Sequence, residues 1–148
     1  MRKLISMLVL FIVIASGCSK SEVKEANVQQ EVVNIKENMF IAQINDIYAN
    51  TEEYLGRTIN YEGIFGNFID NKSGFCYYYV IRYGPGCCGN DANAGFEVLW
   101  DGEFPNKDDW VEVEGVLEKF TRDTREVLRI RASKLEVKET RGEETVMQ

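Results

Sequence analysis

Through the second half of the chain, apolar and polar positions alternate with a period of two. Ile59, Tyr61, Gly63 and Phe65 share one side of an extended segment beginning near Arg57, and Thr58, Asn60 and Glu62 share the other. This is the pattern of a strand with one buried face. Four more such runs follow. Residues 75–83 set Phe75, Tyr77, Tyr79, Ile81 and Tyr83 opposite Cys76, Tyr78, Val80 and Arg82, and the aromatic side is expected to pack into the core. Residues 95–100 place Phe96, Val98 and Trp100 together, and residues 110–120 oppose Val111, Val113, Gly115 and Leu117 to Glu112, Glu114 and Glu118. Residues 127–138 align Leu128, Ile130 and Ala132, then change phase to Leu135 and Val137. A phase change inside a strand predicts a bulge, here near Ser133. Gly63 and Gly66 predict a bend in the first strand of the kind a barrel corner needs.

Ahead of the strands the period is helical. Ile41, Ile44, Ile47 and Tyr48 recur at helical spacing, and residues 51–55 read as a further turn capped by Asn50 and ended by Gly56. One short helix followed by five strands in about 100 residues predicts a mainly β domain. A small five-stranded OB-like β-barrel fits best, with a β-sandwich as the alternative.

The N-terminus does not continue this pattern. Arg2 and Lys3 precede an apolar run over residues 4–15 and then Ser16-Gly17-Cys18, which reads as a secretory signal peptide. The segment Ile14-Ala15-Ser16-Gly17-Cys18 resembles the lipobox of bacterial lipoproteins, which implies a lipid on Cys18. A run of about 12 apolar residues is too short for a plain membrane span, which needs about 20. The predicted organisation is therefore a signal peptide over 1–17, a lipidated N-terminus and flexible tether over 18–38, the barrel over 39–138 and a disordered tail over 139–148. The expected location is extracytoplasmic, on the cell membrane through its lipid.

Charge narrows the partners. The full chain carries a net charge of −7. Loss of Arg2 and Lys3 leaves 15 basic residues against 24 acidic ones, a net −9. Such a surface repels phosphate backbones, so nucleic acid is not expected as a partner. There is no histidine, which removes Cys–His nucleophilic catalysis and the commonest metal ligand.

The most distinctive stretch is residues 82–97, R-Y-G-P-G-C-C-G-N-D-A-N-A-G-F-E. Its glycines and Pro85 predict a tight-turned loop between strands, and the candidate ligand residues are Arg82, Gly86, Cys87, Cys88 and Asp91. Thiolates with a carboxylate suit zinc, so Cys87, Cys88 and Asp91 are candidate metal ligands, with Cys76 or Glu97 completing the set if the strands bring them close. Thiol redox chemistry at Cys87 and Cys88, with Arg82 lowering a thiol pKa, is a second reading. A structural loop, its cysteines paired or packed, is the third. Tyr77, Tyr78 and Tyr79 also suit a stacking platform for a sugar or base, although core packing accounts for such a row more simply. Glu112, Glu114 and Glu118 read as a solvated strand face, and Trp100 and Trp110 as closing the barrel end.

Three segments together, Y-L-G-R-T-I-N-Y-E-G (54–63), V-I-R-Y-G-P-G-C-C-G-N-D-A (80–92) and D-W-V-E-V-E-G (109–115), resemble the C-terminal domain of the YcgQ-like family. These are membrane-associated proteins encoded beside predicted permeases, with no established reaction. The resemblance covers residues 40–138, and Cys-Cys-x-x-Asp-Ala is its most specific part. Family members carry transmembrane helices where this chain has a lipoprotein signal, and the turn Gly84-Pro85-Gly86 is extra here. The resemblance implies a tethered OB-like domain serving a permease. The expected role is a binding or accessory module rather than an enzyme, with metal binding or thiol redox at Cys87/Cys88 as the alternative.

Overall fold

The computed structural model describes residues 31–86 and 89–147, without the side chains of 86–91. The signal peptide, Cys18, Cys87, Cys88 and the side chain of Asp91 lie outside this description. Among the described residues no helix is long and apolar enough to cross a membrane.

Five long strands, β2 (Thr58–Ile69), β3 (Cys76–Gly86), β4 (Gly89–Leu99), β5 (Trp110–Arg122) and β6 (Arg125–Val137), form the body. They are hydrogen-bonded in the order β2-β3-β4-β6-β5, and β5 returns to β2, so the sheet closes on itself. Every pairing in the ring is antiparallel except β4 with β6. This is an OB-like closed barrel. A two-residue strand, β1 (Val33–Asn34), adds in parallel to the start of β2.

Closure depends on local features of the sequence. Glu114 pairs with Lys134 but Gly115 pairs with Ala132, so Ser133 is the bulged residue that the phase change predicts. A side chain at Gly115 has no room, because a Cβ there lies 2.2 Å from Arg131 O. On β4, Gly95 has φ +148°, and its Cβ would lie 2.1 Å from Val80 O. Only glycine allows β4 to turn so closely over β3.

The interior is built from the predicted alternation on four strands: Ile59, Tyr61 and Phe65, then Phe96 and Val98, Val111, Val113 and Leu117, and Leu128 with Ile130. The buried hydroxyl of Tyr61 donates to Val80 O at 2.9 Å and accepts from Phe96 N at 3.1 Å, which links β2, β3 and β4 at the core. Helix α1 (Phe40–Ala49) adds Phe40, Ile44 and Ile47. It lies where β4 and β6 diverge, since those strands pair only from Glu97–Arg129 to Leu99–Arg131, and Tyr48 donates to Gly95 O at 3.2 Å. The short α2 (Thr51–Tyr54) follows and ends before Gly56 at φ +79°. Asn50 does not cap it through its side chain. The Asn50 amide donates back to Asp46 Oδ1 at 2.7 Å instead.

Three expectations are corrected. The fixed part of the chain begins before residue 39: Val33 and Asn34 pair with β2, and Ile35 is buried in the core. The segment 139–147 is docked rather than frayed. Tyr83 N donates to Glu144 O, Val146 N donates to Tyr83 O, and Val146 is only 3% exposed. It covers the part of β3 that β2 has left, since β2–β3 pairing stops at Ile64–Ile81. Finally, β3 is turned the other way. Val80 and Arg82 point inward, whereas Phe75 is 66% exposed and Tyr77 and Tyr79 are half-buried on the outside. Phe40, Phe65 and Phe96 already fill the interior beside β3, and a row of five large side chains does not fit there.

Candidate functional site

The residues on either side of the cysteines are paired strands rather than an open loop. β3 and β4 stay paired through Arg82–Ala94, Tyr83–Asn93 and Gly84–Ala92 to Gly86–Gly89, with a register shift between Gly84 and Gly86. Gly84 serves the strand itself, since a Cβ there would lie 2.9 Å from the Ile41 side chain. Gly86 and Gly89, which flank Cys87 and Cys88 in the sequence, are the last pair of these two strands.

The other predicted ligands do not gather there. Cys76 is a half-buried free thiol that pairs across to Ile69 at the opposite end of β3. The ten rises from Cys76 to Gly86 span on the order of 30 Å, so Cys76 is not a co-ligand of Cys87 and Cys88 in one chain. Glu97 is 8% exposed and held at both oxygens by Arg122 Nη2, at 2.7 and 2.5 Å. Among the described residues no group of three potential metal ligands converges.

Arg82 is 3% exposed and lies inside the barrel. Its Nε donates to Glu62 O at 2.8 Å and its Nη1 to Glu143 O at 3.2 Å, with Glu37 Oε2 at 3.5 Å. Its guanidinium lies 4.7 Å from the Trp110 ring and 5.0 Å from Phe40. Burial lowers its pKa, against the neighbouring Glu37 carboxylate, which raises it. Arg82 bonds β2 and the C-terminal segment across the gap where β2 and β3 part, and Trp110 closes the same end with its Nε1 on Glu62 Oε2 at 3.0 Å.

A separate group of aromatic and charged side chains is gathered on the outer face of β3. Tyr77 and Tyr79 form the floor of a cleft of about 330 Å³. One wall is Phe68, 58% exposed, with the turn that carries Asp70 and Lys72; the other is Arg122, Asp123 and Arg125 at the β5–β6 turn. The first turn is fixed by Asp70, whose carboxylate accepts from Lys72 N at 3.0 Å and from the Ser73 hydroxyl at 2.5 Å. The Ser73 bond in particular lowers its pKa. The second turn is a two-residue connection, with Asp123 at φ +54° between the paired Arg122 and Arg125. Arg122 is held from below by Glu97, and its guanidinium lies 3.7 Å from the Tyr77 ring and 5.1 Å from Phe120. Burial, and secondarily Glu97, raise the Tyr79 pKa. The cleft continues along β3 into a second of about 310 Å³ bordered by Asn67, Ile81 and Asn93.

The outer glutamates form structural pairs. Glu112 meets Lys134 at 2.8 Å and Lys138 at 3.2 Å, and Glu118 meets Arg131 at 2.5 Å and Arg129 at 3.3 Å. The Lys134 hydrogen bond brings Glu112 down to about 2, far from the range of a general acid or base near neutral pH. Sequence reasoning passed over Phe68, Lys72, Arg122, Arg125, Asn67 and Asn93. The available signal was apolar Phe68 and Ile69 running on past Gly66 into a polar turn.

A closed five-stranded barrel with exposed rings on one outer face and turns rising on either side of it defines an OB-like domain with a surface cleft. The chain belongs to the DUF1980 C-terminal domain family, which matches residues 15–145. No curated protein matches the chain, and neither does any solved structure.

Proposed function

We propose that the chain is a binding module rather than an enzyme, held on the extracytoplasmic face of the membrane by a lipid on Cys18 and serving a membrane permease. The membrane placement rests on the lipobox-like segment 14–18 and the resemblance to YcgQ-like proteins. The binding role rests on one observation: Tyr77, Tyr79 and Phe68 line an outer cleft flanked by two turns. Exposed rings between polar walls are the usual makeup of a small-ligand site. The position agrees with OB-like barrels, which bind oligomers on this part of the sheet beside the same pair of turns.

Metal or thiol chemistry at Cys87 and Cys88 is the alternative reading, with Zn as the ion. The adjacency of the two thiols in the sequence, between Gly86 and Gly89, supports it.

Native mass spectrometry of the full chain extracted from its own membrane separates these readings. A lipid mass on Cys18 and a bound small molecule lost from a Phe68→Ala/Tyr77→Ala variant are expected. A Cys18→Ser variant that stays in the membrane refutes the anchor. An adduct lost only from Cys87→Ser/Cys88→Ser refutes the cleft in favour of the alternative.

A further inference from the structure

We infer that the outer cleft takes an uncharged oligosaccharide of at least two sugar rings. The inference rests on the binding reading above and adds the ligand class. Four features carry it.

The floor is made of flat rings. Tyr79, half-buried on the outside of β3, and Phe68, 58% exposed, are open rings, while one face of Tyr77 is already covered by the Arg122 guanidinium at 3.7 Å. Rings that are large, rigid and polar at the edge receive either a nucleobase or the C–H face of a sugar.

Charge separates those two. Around the cleft, Lys72, Arg122 and Arg125 are matched in number by Asp70, Asp123 and the buried Glu97 that holds Arg122. The whole chain is −7. A polyanion finds no excess of cations here, and nucleic-acid binding depends on that excess. A neutral ligand meets no such penalty.

The rim carries the groups that hydroxyls need. Asn93 borders the second cleft, and its amide offers a donor and an acceptor side by side. The Tyr79 hydroxyl adds a further donor on the floor. Arg122 contributes a planar guanidinium already fixed by Glu97 and Tyr77, so little ordering is needed when a ligand arrives.

Length follows from continuity. The clefts of about 330 and 310 Å³ share Phe68 and Tyr79 and run on along β3. Each alone is near the lower end for a small-ligand site, so the pair suits a chain of linked rings rather than one compact molecule.

The test is a titration of the isotope-labelled full chain in detergent with chitotetraose, alongside a ten-residue oligothymidylate. Chitotetraose is expected to shift the amide resonances of residues 67–69, 77–81, 93 and 122–127 and to saturate. Phe68→Ala, exposed and so without risk to folding, is expected to weaken it at least tenfold. Val137→Ala, 54% exposed and outside both clefts, is expected to leave it unchanged. Oligothymidylate moving these resonances while chitotetraose leaves them still overturns the sugar inference but keeps the face as a binding site. Silence of these residues toward chitotetraose up to ten millimolar also overturns it. Saturable shifts confined to another surface overturn both the inference and the cleft itself.

Discussion

Replacement of Arg82 by methionine tests whether a buried cation fastens the two ends of the chain to the barrel. The side chain is 3% exposed and donates to Glu62 O and Glu143 O. Methionine fills most of the space but leaves both carbonyls without that donor. An unpartnered buried acceptor costs about 1–3 kcal/mol. Glu143 is exposed and its carbonyl can recruit water, so the full cost falls on Glu62 O. Loss of the contacts with Phe40 and Trp110 adds about 0.5–2 kcal/mol, offset in part because no guanidinium is then buried. The expected loss is about 2–4 kcal/mol. In urea, at about 1–3 kcal/mol/M, that lowers the midpoint by about 1–2 M. Hydrogen exchange supplies the local readout, because the Tyr83 and Val146 amides lose protection if the C-terminal segment lets go. Glu37→Gln is the control and should cost under about 0.5 kcal/mol, since that partner is 46% exposed. An Arg82→Met protein within about 0.5 kcal/mol of the parent, with both amides still protected, refutes the reasoning.

Gly95→Ala should destabilise by about 3 kcal/mol or more in the same assay, since φ +148° and a contact of 2.1 Å leave no relaxed position for a methyl; a loss under about 1 kcal/mol contradicts the close crossing of β4 over β3. Stability should fall as pH drops from about 4.5 to about 2, because the Glu112 pKa is lowered in the folded state and its contribution, present above the unfolded value, is lost as the folded value is approached. Glu112→Gln should flatten that fall by about 1 kcal/mol, and an unchanged slope tells against the Lys134 and Lys138 pairing. Thiol labelling of denatured, unreduced monomer should always modify Cys76, because a disulfide needs Cα atoms within about 7 Å and β3 places the hairpin connection far from it; a Cys76 bridge to Cys87 or Cys88 contradicts the strand.

The strands were legible wherever one face is apolar and the other charged. In β5, Val111, Val113 and Leu117 alternate with Glu112, Glu114 and Glu118, and each side lies where the pattern puts it. The bulge at Ser133 was readable because a phase slip has no other geometric outlet in a paired strand. β3 was misread because both of its sides are apolar or aromatic, so periodicity alone does not say which faces in. The volume left by Phe40, Phe65 and Phe96 decides it, and that is a tertiary quantity. Arg82 misled for a related reason. A charged residue beside a glycine-rich turn reads as surface, and only the splay of β2 from β3 supplies the carbonyls that make its burial tolerable. The docked tail has the same origin, since nothing in Arg141–Gln148 marks Val146 as core. The outer cleft draws on turns about fifty residues apart, and no local pattern announces it.

The reversal of β3 also connects the fold to the candidate site. Five strands enclose too little space for the aromatic residues this chain carries, so some rings must remain outside, and their place on the surface depends on which strand faces the fullest part of the core. That strand is β3, whose inner positions are held by Tyr78 stacked on Phe65, by the slender Val80 and by Arg82. Tyr77 and Tyr79 are left outside, between the two turns that rise from β2 and β5. The Cys87-Cys88 connection is at the other end of the same strand, on the order of 30 Å from Tyr77 by the rise of β3. Sites so far apart act additively. Substitutions at Phe68 or Tyr77 and substitutions at Cys87 or Cys88 should therefore combine without coupling. A strong coupling between them would mean that β3 does not hold the two ends apart, and that the cleft and the cysteines serve one ligand.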